Sequence, residues 1–79
     1  MRYKFSYLDF TLLIDVTPES DDLSKMQQWC CVVQEEGALF ADDPRYFEDN
    51  CGLNAASSAA DDYINRNGLK DGTVIINCE

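Results

Sequence analysis

The strongest constraint on this fold is a helical repeat built largely from small residues. Leu53, Ala56, Ala60, Tyr63 and Ile64 recur at i, i+3, i+7, i+10 and i+11, which places them on one face of a helix. Asn54 suits the start of that helix, and Gly68 suits its end, where a left-handed residue commonly closes the last turn. Ala56, Ala59 and Ala60 keep the face low, so the helix is expected to lie close on a sheet. Asp61 and Asp62 fall on the opposite, wet face, with Arg66 four residues beyond Asp62.

The sheet is legible upstream. Phe10, Leu12, Ile14 and Val16 alternate with Thr11, Leu13, Asp15 and Thr17, the period of a half-buried strand. Tyr3, Phe5 and Tyr7 alternate in the opposite phase. Either a bulge near Tyr7–Leu8 re-aims the chain, or the first residues form a separate short edge strand. Leu23, Met26, Cys30 and Val33 recur at helical spacing, a competing signal. Trp29 to Val33 is nevertheless aromatic and β-branched, which favours a strand from about Gln28 to Gln34. This strand is expected to pair with the first across a polar connection that holds one helical turn around Asp21 to Met26. Glu35-Glu36-Gly37 is its exit turn. Near the end of the chain, Lys70-Asp71-Gly72 reads as a turn, and Thr73 to Asn77 as a buried strand beside one of the first two.

Between these halves lies Phe40-Ala-Asp-Asp-Pro-Arg-Tyr-Phe-Glu-Asp-Asn-Cys-Gly52. Asp43 before Pro44 is a good helix start, because Asp accepts an orphan N–H and Pro fits the first turn. With Gly52 as its stop, the stretch predicts a short acidic helix anchored by Tyr46 and Phe47. The expected fold is a single α+β domain over residues 1–79. Its order is β-β-α-α-β, with a three-stranded antiparallel sheet and helices packed on one face.

Composition narrows the function. A chain of 79 residues buries roughly 60% of its unfolded surface, which leaves no room for a large cleft. Fifteen Asp and Glu against six Lys and Arg give a net charge of −9. That balance argues against direct binding of DNA, RNA or anionic lipid, whose contacts need Lys and Arg. It favours a basic protein partner. The N-terminus lacks the pattern of a targeting signal, and no apolar run approaches the roughly 20 residues of a membrane span. A cytoplasmic protein is expected.

Chemistry is scarce. The chain has no His, so neither Ser-His nor Cys-His nucleophilic pairs can form. Cys30, Cys31, Cys51 and Cys78 lack zinc-ligand spacing, and they read as reduced thiols acting as small hydrophobes. The acidic doublets do not have the alternation of a calcium loop, and no glycine-rich phosphate loop occurs. A non-enzymatic protein without metal or cofactor is expected.

What remains is a set of acidic doublets: Asp21-Asp22, Glu35-Glu36, Asp42-Asp43, Glu48-Asp49 and Asp61-Asp62. Three of them cluster around the junction between strand and central segment. Alone, each is explained by a turn, a cap or a solvated face. Together they form a row of carboxylates able to occupy a basic groove meant for phosphates.

The back two-thirds of the chain also resembles a known family. Trp29-Cys-Cys-Val-Val-Gln-Glu-Glu-Gly37, then Phe40-Ala-Asp-Asp-Pro-Arg-Tyr46, then acids and Gly52, a helix with a central acidic doublet, and Leu69-Lys-Asp-Gly72 before a last strand, follow the order of a small acidic anti-CRISPR family of phages. The resemblance runs from about Trp29 to Asn77. It implies a β-β-α-α-β fold and a monomer acting in the bacterial host cytoplasm. It also implies a DNA-mimicking inhibitor that blocks recognition of the protospacer-adjacent motif by a Cas subunit of a type I complex. On this resemblance Asp42, Asp43, Glu48 and Asp49 take the place of phosphates, and Glu35 and Glu36 are secondary candidates. An acidic antidote that plugs a basic nuclease or toxin is the alternative.

Overall fold

The computed structural model describes residues 1–69 with their side chains and residues 75–78 as backbone. In chain order the elements are β1 (Arg2–Ser6), β2 (Thr11–Pro18), β3 (Gln27–Glu35), β4 (Arg45–Asp49), α1 (Gly52–Asn67) and β5 (Ile75–Cys78). The strands make one sheet in the order β4-β3-β2-β1-β5, and every neighbouring pair is antiparallel. The first four strands form a meander. The chain then crosses one face of the sheet as α1 before β5 joins the far edge.

The α+β class, the antiparallel pairing and the helix on one face agree with the sequence reading. The three-stranded β-β-α-α-β order does not: the described residues hold five strands and one helix. Two features account for the difference.

The first is the opposite phase of Tyr3 and Phe5. β1 and β2 are a hairpin, with Tyr3 opposite Ile14 and Phe5 opposite Leu12. Directly opposed residues share a face, so chain reversal brings both apolar sets onto the same side. Tyr7 N–H donates to the Phe10 carbonyl at 2.8 Å, and the two rings stack at 4.7 Å. β1 is therefore a separate strand, as one expectation held, but not an edge, because β5 pairs along its other side. The last strand, expected beside one of the first two, pairs with β1. The Lys70-Asp71-Gly72 turn and the burial of Thr73 to Asn77 lie outside the described residues.

The second is the central acidic segment, which is a strand and not a helix. Arg45 to Asp49 pairs with Gln27 to Cys31. Phe47, opposite Trp29, packs against the core, while Tyr46 and Glu48 are exposed on the other face. An isolated helix of this length is marginal because its first turn is costly to nucleate. The free edge of β3 offers a ladder of hydrogen bonds in its place. Gly52 consequently starts α1 instead of stopping a helix. A Cβ at Gly52 would lie 3.3 Å from the Trp29 ring and 2.6 Å from the Met1 side chain, so glycine lets α1 begin directly over the indole.

Elsewhere the reading holds with adjusted bounds. β3 pairs with β2 through Leu12–Pro18, as the expected long-looped hairpin. Its exit turn closes through Ala38 N–H to the Glu35 carbonyl at 3.0 Å, with Gly37 at φ 92°. The connection between β2 and β3 contains bends and a turn but no helical turn around Asp21 to Met26. The buried Gln27 amide organises it instead. Its Oε1 accepts from Ser20 N–H at 2.6 Å, and its Nε2 donates to the Asp22 carbonyl at 2.8 Å.

The core lies between α1 and one sheet face. Tyr3, Phe5, Leu12, Ile14, Val16, Trp29, Cys31 and Val33 meet Ala55, Ala56, Ala59, Ala60 and Ile64. Leu53, expected on the buried face, is exposed, and Ala55 takes its role. Cys51 is the extended residue before the helix and makes no side-chain cap; Asn54, expected to cap, is already inside α1. Gly68 closes the helix at φ 64°, donating to the Ile64 carbonyl.

Candidate functional site

The distribution of charge on this frame follows from which acids have met a cation. Arg2 pairs with Asp15 at 2.9 Å across the β1–β2 hairpin, and Lys4 with Glu36 at 3.4 Å. Arg66 donates to Asp42 and Asp62, each at 2.7 Å, and Arg45 lies 3.5 Å from Asp62. The last cluster ties α1 to the β3–β4 connection. The i, i+4 pair read from sequence is thus present, but Asp62 turns toward Arg45 instead of facing only water. Among the described Lys and Arg side chains, Lys25 alone takes part in no ion pair.

The six candidate carboxylates do not form one compact row. Glu35, Glu36 and Asp42 lie toward the end of the sheet that holds the β1–β2 turn. Glu48 and Asp49 lie at the opposite end, facing Gln28 and Gln27 in the ladder. Asp43 stands exposed between them, on the approach to the edge strand β4. Glu36 and Asp42 are offset by Lys4 and Arg66. Glu35 sits close enough to Tyr63 to matter: burial first, then the Glu35 and Asp42 carboxylates, push that phenol up, against the opposing pull of Arg66. Asp49 is half-buried, its carboxylate accepting from Asn50 N–H at 2.7 Å and its carbonyl from Trp29 Nε1–H at 2.9 Å.

Register adds carboxylates that were not among the candidates. Glu19 N–H donates to the Gln28 carbonyl at 3.1 Å, so Glu19 flanks Gln28 on one side as Glu48 does on the other. Asp21 and Asp22 follow in the same loop. Asp22 accepts from the Ser24 hydroxyl at 2.6 Å and the Ser24 N–H at 3.1 Å, and these bonds hold its carboxyl below the ordinary value. The Asp21-Asp22 doublet was visible in the sequence. Its proximity to Glu48-Asp49 depends on the pairing of β3 with both neighbours.

The uncovered sheet face next to this end carries a shallow groove of about 160 Å³ lined by Thr17, Pro18, Glu19, Gln28, Cys30 and Tyr46. A hydrogen bond to Cys30, and then the charge of that thiol, push the Tyr46 phenol up. Cys30, Cys31 and Cys51 are free thiols. No group of His, Cys, Asp or Glu among the described residues is placed to hold a metal ion. No described helix is long and apolar enough to cross a membrane.

Cys31 provides a check on the packing beneath this face. Burial, and then the neighbouring Cys30, push its thiol from 9.0 to about 11. In folded protein at mildly alkaline pH, Cys31 is expected to resist a thiol reagent that labels it fully in urea. Between pH 9 and 11 the unfolded thiol ionises while the folded one keeps its proton, so this contribution to stability falls as pH rises through that window. Urea midpoints of wild type and Cys31→Ala at the two ends of the window measure it. An equal alkaline loss in both proteins would remove Cys31 as its source.

Comparison with protein-family models, curated proteins and solved structures gives no match to this chain.

Proposed function

We propose that this protein is a non-enzymatic inhibitor that occupies a basic nucleic-acid-binding groove on another protein and holds DNA off it. On the family resemblance carried by Trp29 to Asn77, the partner is a Cas subunit of a type I CRISPR surveillance complex. The site it would occupy is the surface that reads the protospacer-adjacent motif. The observation that carries this reading is the surplus of acids without a cation partner. Arg2, Lys4, Arg45 and Arg66 are each engaged by a carboxylate, while Asp43, Glu48, Asp49, Glu19, Asp21 and Asp22 have no cation partner among the described residues.

Geometry supports the same reading. Glu48 lies exposed on the edge strand β4, and Asp43 is exposed two residues before that strand begins. The backbone that carries Glu48 and Asp49 is paired with β3, so it is ordered before a partner arrives, and less freedom is lost on binding.

The test is competition for duplex target DNA on a purified type I surveillance complex, read by mobility shift at low and high salt. Wild type is expected to displace DNA most effectively at low salt. Asp43→Lys with Glu48→Lys is expected to lose about a hundredfold in potency and most of its salt dependence. Equal potency of this variant and wild type would overturn the role of the acidic edge. Displacement of nothing by wild type would overturn the choice of partner.

A further inference from the structure

The β3–β4 connection presents an apolar pair that the fold does not use. Leu39 is 89% exposed and Phe40 is 83% exposed, although Phe47 a few residues later packs against the core. The pair is not a loose loop tip. Ala38 N–H bonds the Glu35 carbonyl at 3.0 Å, and Gln34 Nε2 bonds the Ala38 carbonyl at 3.0 Å. Beyond the pair, Asp42 N–H bonds the Val33 carbonyl at 2.7 Å, and the Asp42 carboxylate holds Arg66 at 2.7 Å. Only Leu39, Phe40 and Ala41 lie between these two moorings.

We propose that Leu39 and Phe40 are the apolar anchor of the interface whose charged part is the acidic edge, and that they enter a pocket rimmed by Lys and Arg on a basic protein. This rests on the proposed function. The reasons are local. Two large apolar side chains held out in water by a backbone moored on both sides are what a central binding anchor requires. Of the four carboxylates in the run from Glu35 to Asp43, Glu36 and Asp42 are offset by Lys4 and Arg66, while Glu35 before the pair and Asp43 after it have no cation partner among the described residues. A partner that covers the pair therefore meets carboxylates on both sides of it, and charge complementarity selects a basic rim. The same charge disfavours two other occupants. In a symmetric dimer the pair of one copy would bring its carboxylates against those of the other. An anionic bilayer would repel them.

The experiment compares wild type, Leu39→Ser/Phe40→Ser and Asp43→Lys/Glu48→Lys for affinity to the purified type I surveillance complex across a salt series. Neither Leu39 nor Phe40 touches the core, so the serine variant is expected to keep its far-UV spectrum and melting temperature. Its affinity should fall about thirtyfold or more with an unchanged salt slope, whereas the charge variant changes the slope. If wild type binds and the serine variant binds equally well, the anchor is refuted while the inhibitor reading stands. If wild type does not bind, both fall together. Sedimentation velocity supplies the remaining arm: a wild-type dimer that the serine variant converts to monomer would identify a second copy as the occupant and overturn the proposal.

Discussion

Replacing Trp29 with alanine is expected to remove about 3–5 kcal/mol of stability, from a total of about 4–12 kcal/mol for a 79-residue domain. Trp29 is 1% exposed and among the largest fully buried side chains. It stands between Pro18 of β2 and Phe47 of β4 in the ladder, and under the first residue of α1. Its Nε1–H also satisfies the Asp49 carbonyl at 2.9 Å. The substitution therefore opens a cavity where three elements meet and frees the end of the edge strand. Trp29→Phe separates the two effects. It keeps most of the apolar volume and loses the hydrogen bond, at an expected cost of about 1 kcal/mol beyond the change in volume. The chain has one Trp, so urea titration followed by far-UV circular dichroism is the appropriate measurement. A midpoint for Trp29→Ala within the range of surface substitutions would mean that the indole is not the packing centre described above.

The second large effect is expected from Ala56→Leu. Ala56 is fully buried between α1 and the sheet. A leucine there has nowhere to go unless the helix lifts from β2 and β3, and overpacking of this kind costs about 1–3 kcal/mol. Leucine is a good helix former, so a loss reports packing and not helix propensity. Asn54→Leu, on the exposed side of the same helix, is the control and is expected to stay within about 0.5 kcal/mol. In a domain of this size each kcal/mol moves the melting temperature by roughly 4–8 °C, so a thermal melt resolves the two. Equal melting of both variants would show that α1 does not rest closely on the sheet.

The candidate interface was only partly readable from the chain. The doublets, the shortage of cations and the missing histidine are facts of composition, and no fold alters them. The spatial grouping of the doublets is a matter of register. Glu35-Glu36 and Asp42 are close to Glu48-Asp49 in sequence, yet β3 and β4 carry the two groups to opposite ends of the sheet, with Asp43 between them. Asp21-Asp22 is far from Glu48-Asp49 in sequence and near it in the fold, because Gln27 and Gln28 pair with β4 while Gln27 and Glu19 tie down the preceding loop. Ion pairing is equally non-local. Arg66 selects Asp42 from 24 positions away, so a carboxylate that the sequence placed first is offset by a cation.

Periodicity by itself determined the two apolar sets before and after Tyr7 and the alanine-faced helix. In each of these a repeat of two or of 3.6 runs long enough to define a face, so local pattern and burial agree. Tertiary structure decided the rest. Arg45 to Asp49 is short, charged and preceded by Asp-Pro, so its own preference is slight. A waiting β3 edge and a place for Phe47 beside Trp29 outweigh it and make a strand. Likewise the phase shift between Phe5 and Leu12 was plain in the residues, but only chain reversal in a hairpin brings both to one face. A short segment adopts whichever conformation buries its apolar side chain and satisfies its backbone donors, and both of those partners lie elsewhere in the chain.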